Sequence, residues 1–253
     1  MIKLKSERDL EFLKVSGQIL ASTLAVLKSA AKEDVTLKFL DNLARNLLKE
    51  ADATPAFLDY KSEGASKPYQ AAICTSLNEQ IVHGLPTEYK LKNGDVLKID
   101  LGVNYKGYFT DAAVTIGIGQ ISEEARKLIA VTEKALYKAI EECRLGKHLG
   151  DIGWIIEKIA REDDFSVVRG LTGHGTGFEL HEDPTVYNFG KRGEGCELKE
   201  GLVLAIEPMT SVGSGETKQQ NDESFVTKDG SLSAHFEHTV AVTRKGPLIL
   251  TKL

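Results

Sequence analysis

Cysteine is scarce in this sequence of 253 residues, which contains only Cys74, Cys143 and Cys196. Three widely separated thiols cannot build a disulfide framework or a CxxC metal site. We expect free thiols in a reducing compartment, with Cys143 and Cys196 buried or half-buried. The sequence therefore excludes a small disulfide-stabilised scaffold and a cysteine-based zinc finger.

The sequence also lacks a signal peptide, an unbroken apolar run of membrane-spanning length and an excess of basic residues. Charged residues are spread through positions 1–9, where a signal peptide would need an apolar segment. The formal net charge of -5 argues against a nucleic-acid-binding surface, because phosphate backbones attract basic patches. These absences predict a cytoplasmic protein with no membrane and no direct nucleic-acid partner.

No proline-rich or Ser/Gly-rich linker divides the chain, which favours one domain over two independent ones. Leucines at helical spacing predict two helices in the first ~50 residues, with starts near Ser6 and Thr36. Strand-like runs follow, and the same order recurs from Ser122 onward. This pattern predicts an α+β fold in which 1–253 form a single catalytic domain of two similar halves, about 1–120 and 121–253. The predicted strands are 71–75, 96–103, 165–168, 202–207 and 237–242.

Two aspartates occur in a predicted hairpin. Residues 97–103 alternate between apolar and polar side chains, as in a strand with two different faces, and Asp100 lies on the polar face. A turn at Tyr105 and Lys106 would put Asp100 and Asp111 directly opposite each other, whereas a bulge in the turn would change this register.

Such a pair of like charges is destabilising by itself, and an unpaired carboxylate within an apolar strand is costly to bury. One alternative is a hydrated hairpin face on which both carboxylates stay in water. A divalent cation between Asp100 and Asp111 removes the conflict, so the sequence predicts a counter-charge at this place.

Four further residues are candidates for the same site. Glycines on both sides of His174 leave its imidazole unshielded, although a structural histidine is the alternative. His181 is seven residues further on, too far for an HExxH zinc site, so we expect the two histidines to act separately, one on metal and one on substrate. Glu207 closes an apolar strand before Pro208, and Glu237 opens another. Alternatively, Glu207 is an ordinary residue at a strand edge, and Glu237 forms an ion pair with a lysine.

Together these segments resemble the type I methionine aminopeptidases, in their short bacterial form with the pita-bread fold. The resemblance covers nearly the whole chain, and the motifs occur in the family's order. They are Asn78-Glu-Gln-Ile-Val-His83-Gly, Ile99-Asp100 to Thr110-Asp111, Gly173-His174-Gly, Ile206-Glu207-Pro208 and Phe236-Glu237-His238-Thr239.

The resemblance implies two divalent metal ions (Co, Mn, Fe(II), Zn or Ni) about 3.5–4 Å apart, which activate a water molecule. It implies that Asp111 and Glu237 bridge the ions and that Glu207 also moves a proton to the leaving amine. His83 would position the substrate, and His181 would contact the scissile carbonyl or the tetrahedral intermediate. The implied metal ligands are Asp100, Asp111, His174, Glu207 and Glu237.

The implied function is removal of the initiator methionine from nascent polypeptides near the ribosome, by a monomeric enzyme. The alternatives are a Xaa-Pro aminopeptidase or prolidase of the same fold, and a metal-free binding protein. A monovalent cation is also implied near Asn78 and Ser233. The implied methionine pocket consists of Phe57, Tyr60, Tyr69 and Cys74.

The chain departs from the family pattern around this pocket. The loop from Tyr60 to Tyr69 is long, and Gln70 replaces a proline. A tryptophan is missing around 222–225, where Glu223 or Phe225 falls near its place, and Leu180 precedes His181 where phenylalanine is common. These departures concern the shape of the pocket and leave the metal ligands intact.

Overall fold

The structure is a computed structural model that describes residues 2–61 and 64–252. The predicted starts of the first three helices are confirmed. Ser6 forms a capping box with Asp9, and the hydroxyls of Thr36 and Ser122 each accept a main-chain N–H in the first turn of their helices. The helices of the described chain are α1 (Glu7–Ala30), α2 (Leu37–Glu50), α3 (Glu123–Glu142) and α4 (Leu149–Glu162).

The strands are mostly short and pair antiparallel. The first half contains β1 (Thr54–Pro55), β2 (Cys74–Leu77), β3 (Gln80–Val82), β4 (Val96–Tyr105) and β5 (Tyr108–Gly117). The second half contains β6 (Ser166–Val167), β7 (Gly173–Gly175), β8 (Glu182–Val186), β9 (Val203–Ile206), β10 (Met209–Ser211), β11 (Thr217–Gln219), β12 (Phe225–Thr227), β13 (Ser233–His235), β14 (His238–Thr243) and β15 (Gly246–Ile249).

Each half has one main sheet with two helices packed on it. In the first half β4 pairs with β1 and β2 and also with β5, while in the second half the order is β15-β14-β9-β7-β8. Two smaller sheets, β13-β10-β6 and β11-β12-β3, complete the structure, and the second of these joins strands from both halves. Val114 of β5 packs against the hydrophobic cores of both halves. The single-domain boundary 1–253 and its division into halves stay a prediction.

Helix α1 is long and apolar enough to cross a membrane on length and composition alone. The sequence shows no unbroken apolar run there because charged residues such as Glu11 and Lys14 interrupt it. Leu13, Leu20 and Leu27 are fully buried, and the Ser16 hydroxyl lies 2.9 Å from the Thr110 hydroxyl of β5. Because its apolar face packs on the sheet, α1 is a core helix of the fold.

The predicted register of the β4–β5 hairpin is wrong by two positions. Lys106 and Gly107 form the turn, both with positive φ (53° and 85°), so that Tyr105 pairs with Tyr108. Two central residues with positive φ are typical of a type I′ turn, which matches the twist of the strands. Asp111 consequently lies opposite Gly102 instead of Asp100. An offset of two keeps both aspartates on one face, as diagonal neighbours.

The predicted strand at 71–75 begins three residues later, at Cys74. The main-chain N–H groups of Ala72 and Ile73 both donate to Oδ1 of Asp41 in α2, at 2.6 and 3.2 Å. Because a helix side chain takes these donors, they are not available to a sheet partner. The strand therefore starts where Cys74 pairs with Asp100 of β4.

Candidate metal centre

A cavity of about 690 Å³ lies over the polar face of β4 and β5, and side chains from the second half complete its walls. All eleven residues predicted for metal, catalysis and substrate line it. They are Phe57, Tyr60, Tyr69, Cys74, His83, Asp100, Asp111, His174, His181, Glu207 and Glu237. Side chains up to 180 residues apart in the sequence are thus brought to one place.

The densest group of metal-ligand atoms lies at the inner end of the cavity. One ligand atom each from Asp111, His174 and Glu237 lies within 4.8 Å of the others. The carboxyl group of Asp100 contacts that of Asp111, and Oε1 of Glu207 lies 3.5 Å from Nε2 of His174. The five predicted ligands therefore form one continuous cluster.

Several oxygens in this cluster are buried without any hydrogen-bond partner in the described chain. They are Oδ1 of Asp100, Oδ1 of Asp111 and Oε1 of Glu237. A buried carboxylate oxygen without a partner is costly, and a divalent cation is the usual compensation. The donor set of four carboxylates and one imidazole also suits such an ion. The residues present therefore fit a metal centre.

The electrostatics of the cluster agree with this fit. Burial raises the pKa of Asp111 to about 7. Burial also raises the pKa of Asp100, Glu207 and Glu237 well above their ordinary values, and the negative charge of neighbouring carboxylates adds to the effect. Without a cation the four groups cannot all be ionised together. Binding of a divalent ion favours their charged forms and so reverses these shifts.

Main-chain contacts hold the two predicted bridging ligands relative to each other. The N–H of Asp111 donates to the hydroxyl of Thr239, and that hydroxyl donates to the carbonyl of Asp111, both at 2.8 Å. The N–H of Glu237 donates to the carbonyl of Ala113 at 2.9 Å. Strand β5 of the first half is thereby joined to the start of β14 in the second.

The imidazole of His174 is neutral and has one nitrogen free to bind a metal ion. Its Nδ1 lies 2.9 Å from the carbonyl oxygen of Gly175, which can only accept, so Nδ1 carries the proton and Nε2 is left with its lone pair. Burial lowers the pKa of His174 to about 4. A neutral imidazole whose other nitrogen is hydrogen-bonded in this way is the usual form of a histidine metal ligand.

His181 and His83 lie on the open side of the cluster, where both side chains are exposed to the cavity. The rings of His174 and His181 meet edge to face with centroids 4.3 Å apart. The Tyr60 hydroxyl lies 2.8 Å from Nδ1 of His181, and the ring of His83 lies 5.8 Å from that of Phe225. Both histidines are thus placed to meet a substrate that enters from solvent.

Next to the cluster, the predicted methionine pocket is an apolar wall. Phe57 and Tyr69 meet edge to face at 6.4 Å, and both pack with buried Cys74 and Leu180. The Tyr69 hydroxyl is 3.0 Å from the carbonyl oxygens of Ile73 and Gly84 and therefore does not face the pocket as a free polar group. Burial raises the pKa of the Cys74 thiol well above its ordinary value, so the thiol is neutral.

Glu223 also lines the cavity. Its Oε1 accepts the N–H of Ser66 at 2.7 Å and also contacts the Ser66 hydroxyl. The long loop after Tyr60 is therefore joined to the loop at 222–225.

His235 has no predicted role in the sequence analysis, although it belongs to the site. It is 1% exposed, and neither of its ring nitrogens has a hydrogen-bond partner in the described chain. Its Nε2 lies 3.6 Å from Oε2 of Glu207. The signal was present, because His235 precedes Glu237 by two residues, as same-face strand neighbours do.

Asn78 and Ser233, the pair predicted near a monovalent cation, lie together outside the cavity lining. The N–H of Ser233 donates to the carbonyl oxygen of Asn78 at 3.1 Å. They bring β13 against the turn between β2 and β3.

Comparison with known proteins identifies the family. The model of metallopeptidase family M24 matches residues 11–244. The chain belongs to metallopeptidase family M24. Its relatives include methionine aminopeptidase from Clostridium acetobutylicum, 44% identical over 253 residues with 99% of each chain covered. Methionine aminopeptidase 1 from Bacillus subtilis is 41% identical over 254 residues, and the match covers both chains completely.

Comparison with solved structures agrees with this assignment. The crystal structure of methionine aminopeptidase from Thermotoga maritima has a TM-score of 0.96 at 38% identity and covers 100% of both chains. Prolidase from Pyrococcus furiosus has a TM-score of 0.78 at 22% identity, with 99% of this chain and 65% of the prolidase covered, and so shares the fold alone.

The predictions of the family, the α+β pita-bread fold and a metal-dependent peptidase are confirmed. The roles of individual site residues and the number and identity of the ions stay predictions.

Proposed function

We propose that this M24 peptidase removes the initiator methionine from nascent polypeptides, with two divalent metal ions held by its five-ligand cluster. The observation that carries the proposal is the position of that cluster, which borders directly on the apolar wall of Phe57, Tyr69 and Cys74. The first residue of a peptide can therefore place its α-amino group at the metal centre and its side chain against this wall. Relatives named methionine aminopeptidase that align over the full length support the assignment.

In this proposal Asp111 and Glu237 would act as the ligands shared by the two ions, which would be Co, Mn, Fe(II), Zn or Ni. Asp100, His174 and Glu207 complete the ligand set. When bound, the ions supply Lewis-acid polarisation of the scissile carbonyl and lower the pKa of a water molecule. The unpartnered oxygens of Asp100, Asp111 and Glu237 are the groups that would receive these ions.

Glu207 is placed to move a proton. It lies at the end of β9, where the carbonyl oxygen of Glu207 accepts a hydrogen bond from the side chain of Asn188 at 3.0 Å. Its carboxylate lies between His174 and His235, at 3.5 and 3.6 Å. A carboxylate at the edge of the metal centre can accept a proton from water and donate it to the leaving amine.

His181 and His83 act on the substrate in this scheme. When the Tyr60 hydroxyl donates to Nδ1 of His181, the proton of the neutral ring lies on Nε2, which is then a donor toward the cavity. A donor of this kind stabilises the oxyanion that forms during peptide hydrolysis, and losing one typically costs about 10²–10³ in rate. His83, which also lines the cavity, holds the substrate main chain in this scheme.

We further propose that the enzyme acts as a cytoplasmic monomer near the ribosome, since its substrate is the newly made N-terminus. A charge of -5 gives it no general attraction to RNA, so it meets the emerging chain without binding nucleic acid directly.

A direct comparison of peptide substrates tests this function. Purified enzyme loaded separately with each candidate metal is offered Met-Ala-Ser and a matched Xaa-Pro peptide, and release of the first residue is measured. We expect cleavage of Met-Ala-Ser, loss of activity after chelation and recovery when metal returns. Preferential turnover of the Xaa-Pro peptide would make the chain a prolidase-like enzyme. Activity that survives complete removal of metal would refute the mechanism.

A further inference from the structure

A buried lysine lies on the same face of β4 as the predicted metal ligand Asp100. Lys98, in the middle of β4, is 1% exposed and is among the largest fully buried side chains. Its Nζ donates to the carbonyl oxygen of Asn78 at 2.6 Å and to that of Ser233 at 3.1 Å. Lys5, another buried lysine, differs because it pairs with the carboxylate of Glu182 at 2.5 Å. The hydrogen-bond acceptors of Lys98 in the described chain are main-chain carbonyls only.

Lys98 belongs to a row of polar side chains that crosses three strands. It pairs with Ser76 of β2 on one side and Thr115 of β5 on the other. The Ser76 hydroxyl accepts the N–H of Gly84, the residue after His83, at 3.1 Å. The Thr115 hydroxyl both donates to the carbonyl oxygen and accepts the N–H of His235, at 2.6 and 2.8 Å. Each member of the row therefore holds a segment that carries a residue of the site.

The two carbonyls held by Lys98 belong to different segments of this kind. Asn78 forms the turn between β2 and β3 with φ of 52°, and the chain continues from there to His83. Its side-chain Oδ1 accepts the N–H of Val96 at 2.9 Å, which fixes the turn on β4. Ser233 begins β13, from which the chain continues to Glu237. The Lys98 ammonium thus joins β4, the β2–β3 turn and β13 at the point where two main-chain oxygens converge.

Converging main-chain carbonyls are a typical binding site for a monovalent cation. The resemblance to the methionine aminopeptidases implies such a cation near Asn78 and Ser233. In this chain, however, Nζ of Lys98 already contacts both carbonyl oxygens, and an ammonium group is a compact positive charge with three donors. The carbonyl oxygens directed at Nζ favour its charged form. The residues present do not fit a free cation between these two oxygens.

We propose that Lys98 is a tethered cation that replaces a bound monovalent ion and positions the Asn78 and Ser233 segments beside the metal centre. The enzyme is then independent of Na⁺ and K⁺, and Lys98 is a positioning residue for His83 and Glu237. The role of Lys98 in positioning His83 and Glu237 rests on the function proposed above. Its replacement of a cation between the two carbonyl oxygens does not.

The occupancy is tested on the metal-free protein by its thermal unfolding midpoint in KCl, NaCl and choline chloride at one ionic strength. Choline is too large for the site. For the unaltered protein we expect the same midpoint in all three salts. For Lys98→Ala, which leaves space between the carbonyls, we expect a lower midpoint in choline and a rise of about 2–4 °C in KCl. Lys134→Ala, an exposed site in α3, controls for the change in net charge.

The positioning role is tested by turnover of Met-Ala-Ser with metal-loaded enzyme in the same salts. We expect Lys98→Ala to lose about tenfold in kcat/KM in choline and to recover severalfold in KCl. Lys98→Met fills the space without a charge, so it should lose activity to a similar extent without recovery in KCl. If Lys98→Ala does not fold, Lys98→Met still tests whether the charge of Lys98 is needed for activity.

Stabilisation of the unaltered protein by K⁺ over choline would overturn the proposal, because a free ion would then bind despite Lys98. Lys98→Met with the midpoint and the kcat/KM of the unaltered protein would overturn it as well. If Met-Ala-Ser is not a substrate at all, the proposed function fails, while the unfolding midpoints still decide whether Lys98 occupies the cation position.

Discussion

At the scale of single residues, the chemistry depends on carboxyl groups that are buried together without a lysine or arginine ion pair in the described chain. Asp111 is the clearest case, since it lies at the junction of the two halves and its pKa is raised to about 7. In the unfolded chain the pKa of Asp111 has its ordinary value of 3.8. The contribution of Asp111 to the stability of the metal-free protein is therefore fully present below about pH 3.8. That contribution is lost as pH rises through about 7.

We expect Asp111→Asn to abolish peptide turnover and most metal binding, because the bridging ligand is lost. Above pH 7 the same substitution should stabilise the metal-free protein by at least about 1 kcal/mol relative to the unaltered chain, since a buried charge is removed. Activity, metal content and urea unfolding at pH 5 and pH 8 measure these effects. Asp164→Asn, an exposed site with φ of 65°, is the matched control and should change none of them. Wild-type turnover and metal content in Asp111→Asn would exclude it as a bridging ligand.

His83 is a different kind of site residue, because it faces the cavity from outside the ligand cluster. We expect His83→Ala to lower kcat by about 10²–10³ through loss of a donor to the substrate, with metal content nearly unchanged. Turnover and metal content measured on the same sample separate the two roles. A loss of metal in proportion to the loss of activity would place His83 among the ligands instead.

At the scale of elements, the sequence predicted the helices and most strands because their signals are local. N-cap hydroxyls and leucine spacing lie within one helix, and alternation lies within one strand. The register of the β4–β5 hairpin depends instead on which residues adopt positive φ, and Lys106 at that position has no sequence signature. The late start of β2 depends on Asp41, which is about 30 residues away in α2. Hydrogen bonds between a side chain and main-chain N–H groups that are distant in the sequence cannot be predicted from local patterns.

The loop that carries His181 is held by the N-terminal segment. Glu182 accepts the N–H groups of Phe178 and Glu179 and forms a buried ion pair with Lys5. The N–H of Lys5 also donates to the carbonyl oxygen of Gly201. Removal of one member of a buried pair leaves the other charge without compensation in a site that excludes water.

We therefore expect Lys5→Met to destabilise the protein by about 3–5 kcal/mol. Lys3→Met is a matched control, because Lys3 forms an exposed ion pair with Glu179 in the same two segments, and such pairs contribute little. Urea unfolding of both variants measures the difference. Equal stability of the two variants would show that the Lys5–Glu182 pair does not fasten this loop.

At the scale of the whole molecule, the metal centre is shared between the halves. Asp100 and Asp111 come from the first half, and His174, Glu207 and Glu237 come from the second. The sequence predicted the members of this site because each stands beside a recognisable strand end, glycine or turn. It did not predict His235 or Lys98 as parts of the site, because their roles depend on contacts between segments more than 100 residues apart.

The central claim is that these five side chains hold two divalent ions, and anomalous diffraction from metal-loaded crystals tests it most directly. Data collected on both sides of the absorption edge of the loaded metal locate and identify every bound ion. We predict two peaks about 3.5–4 Å apart, with Asp111 and Glu237 between them. A single peak would contradict the dinuclear centre, and no peak among these five residues would contradict the metal site altogether.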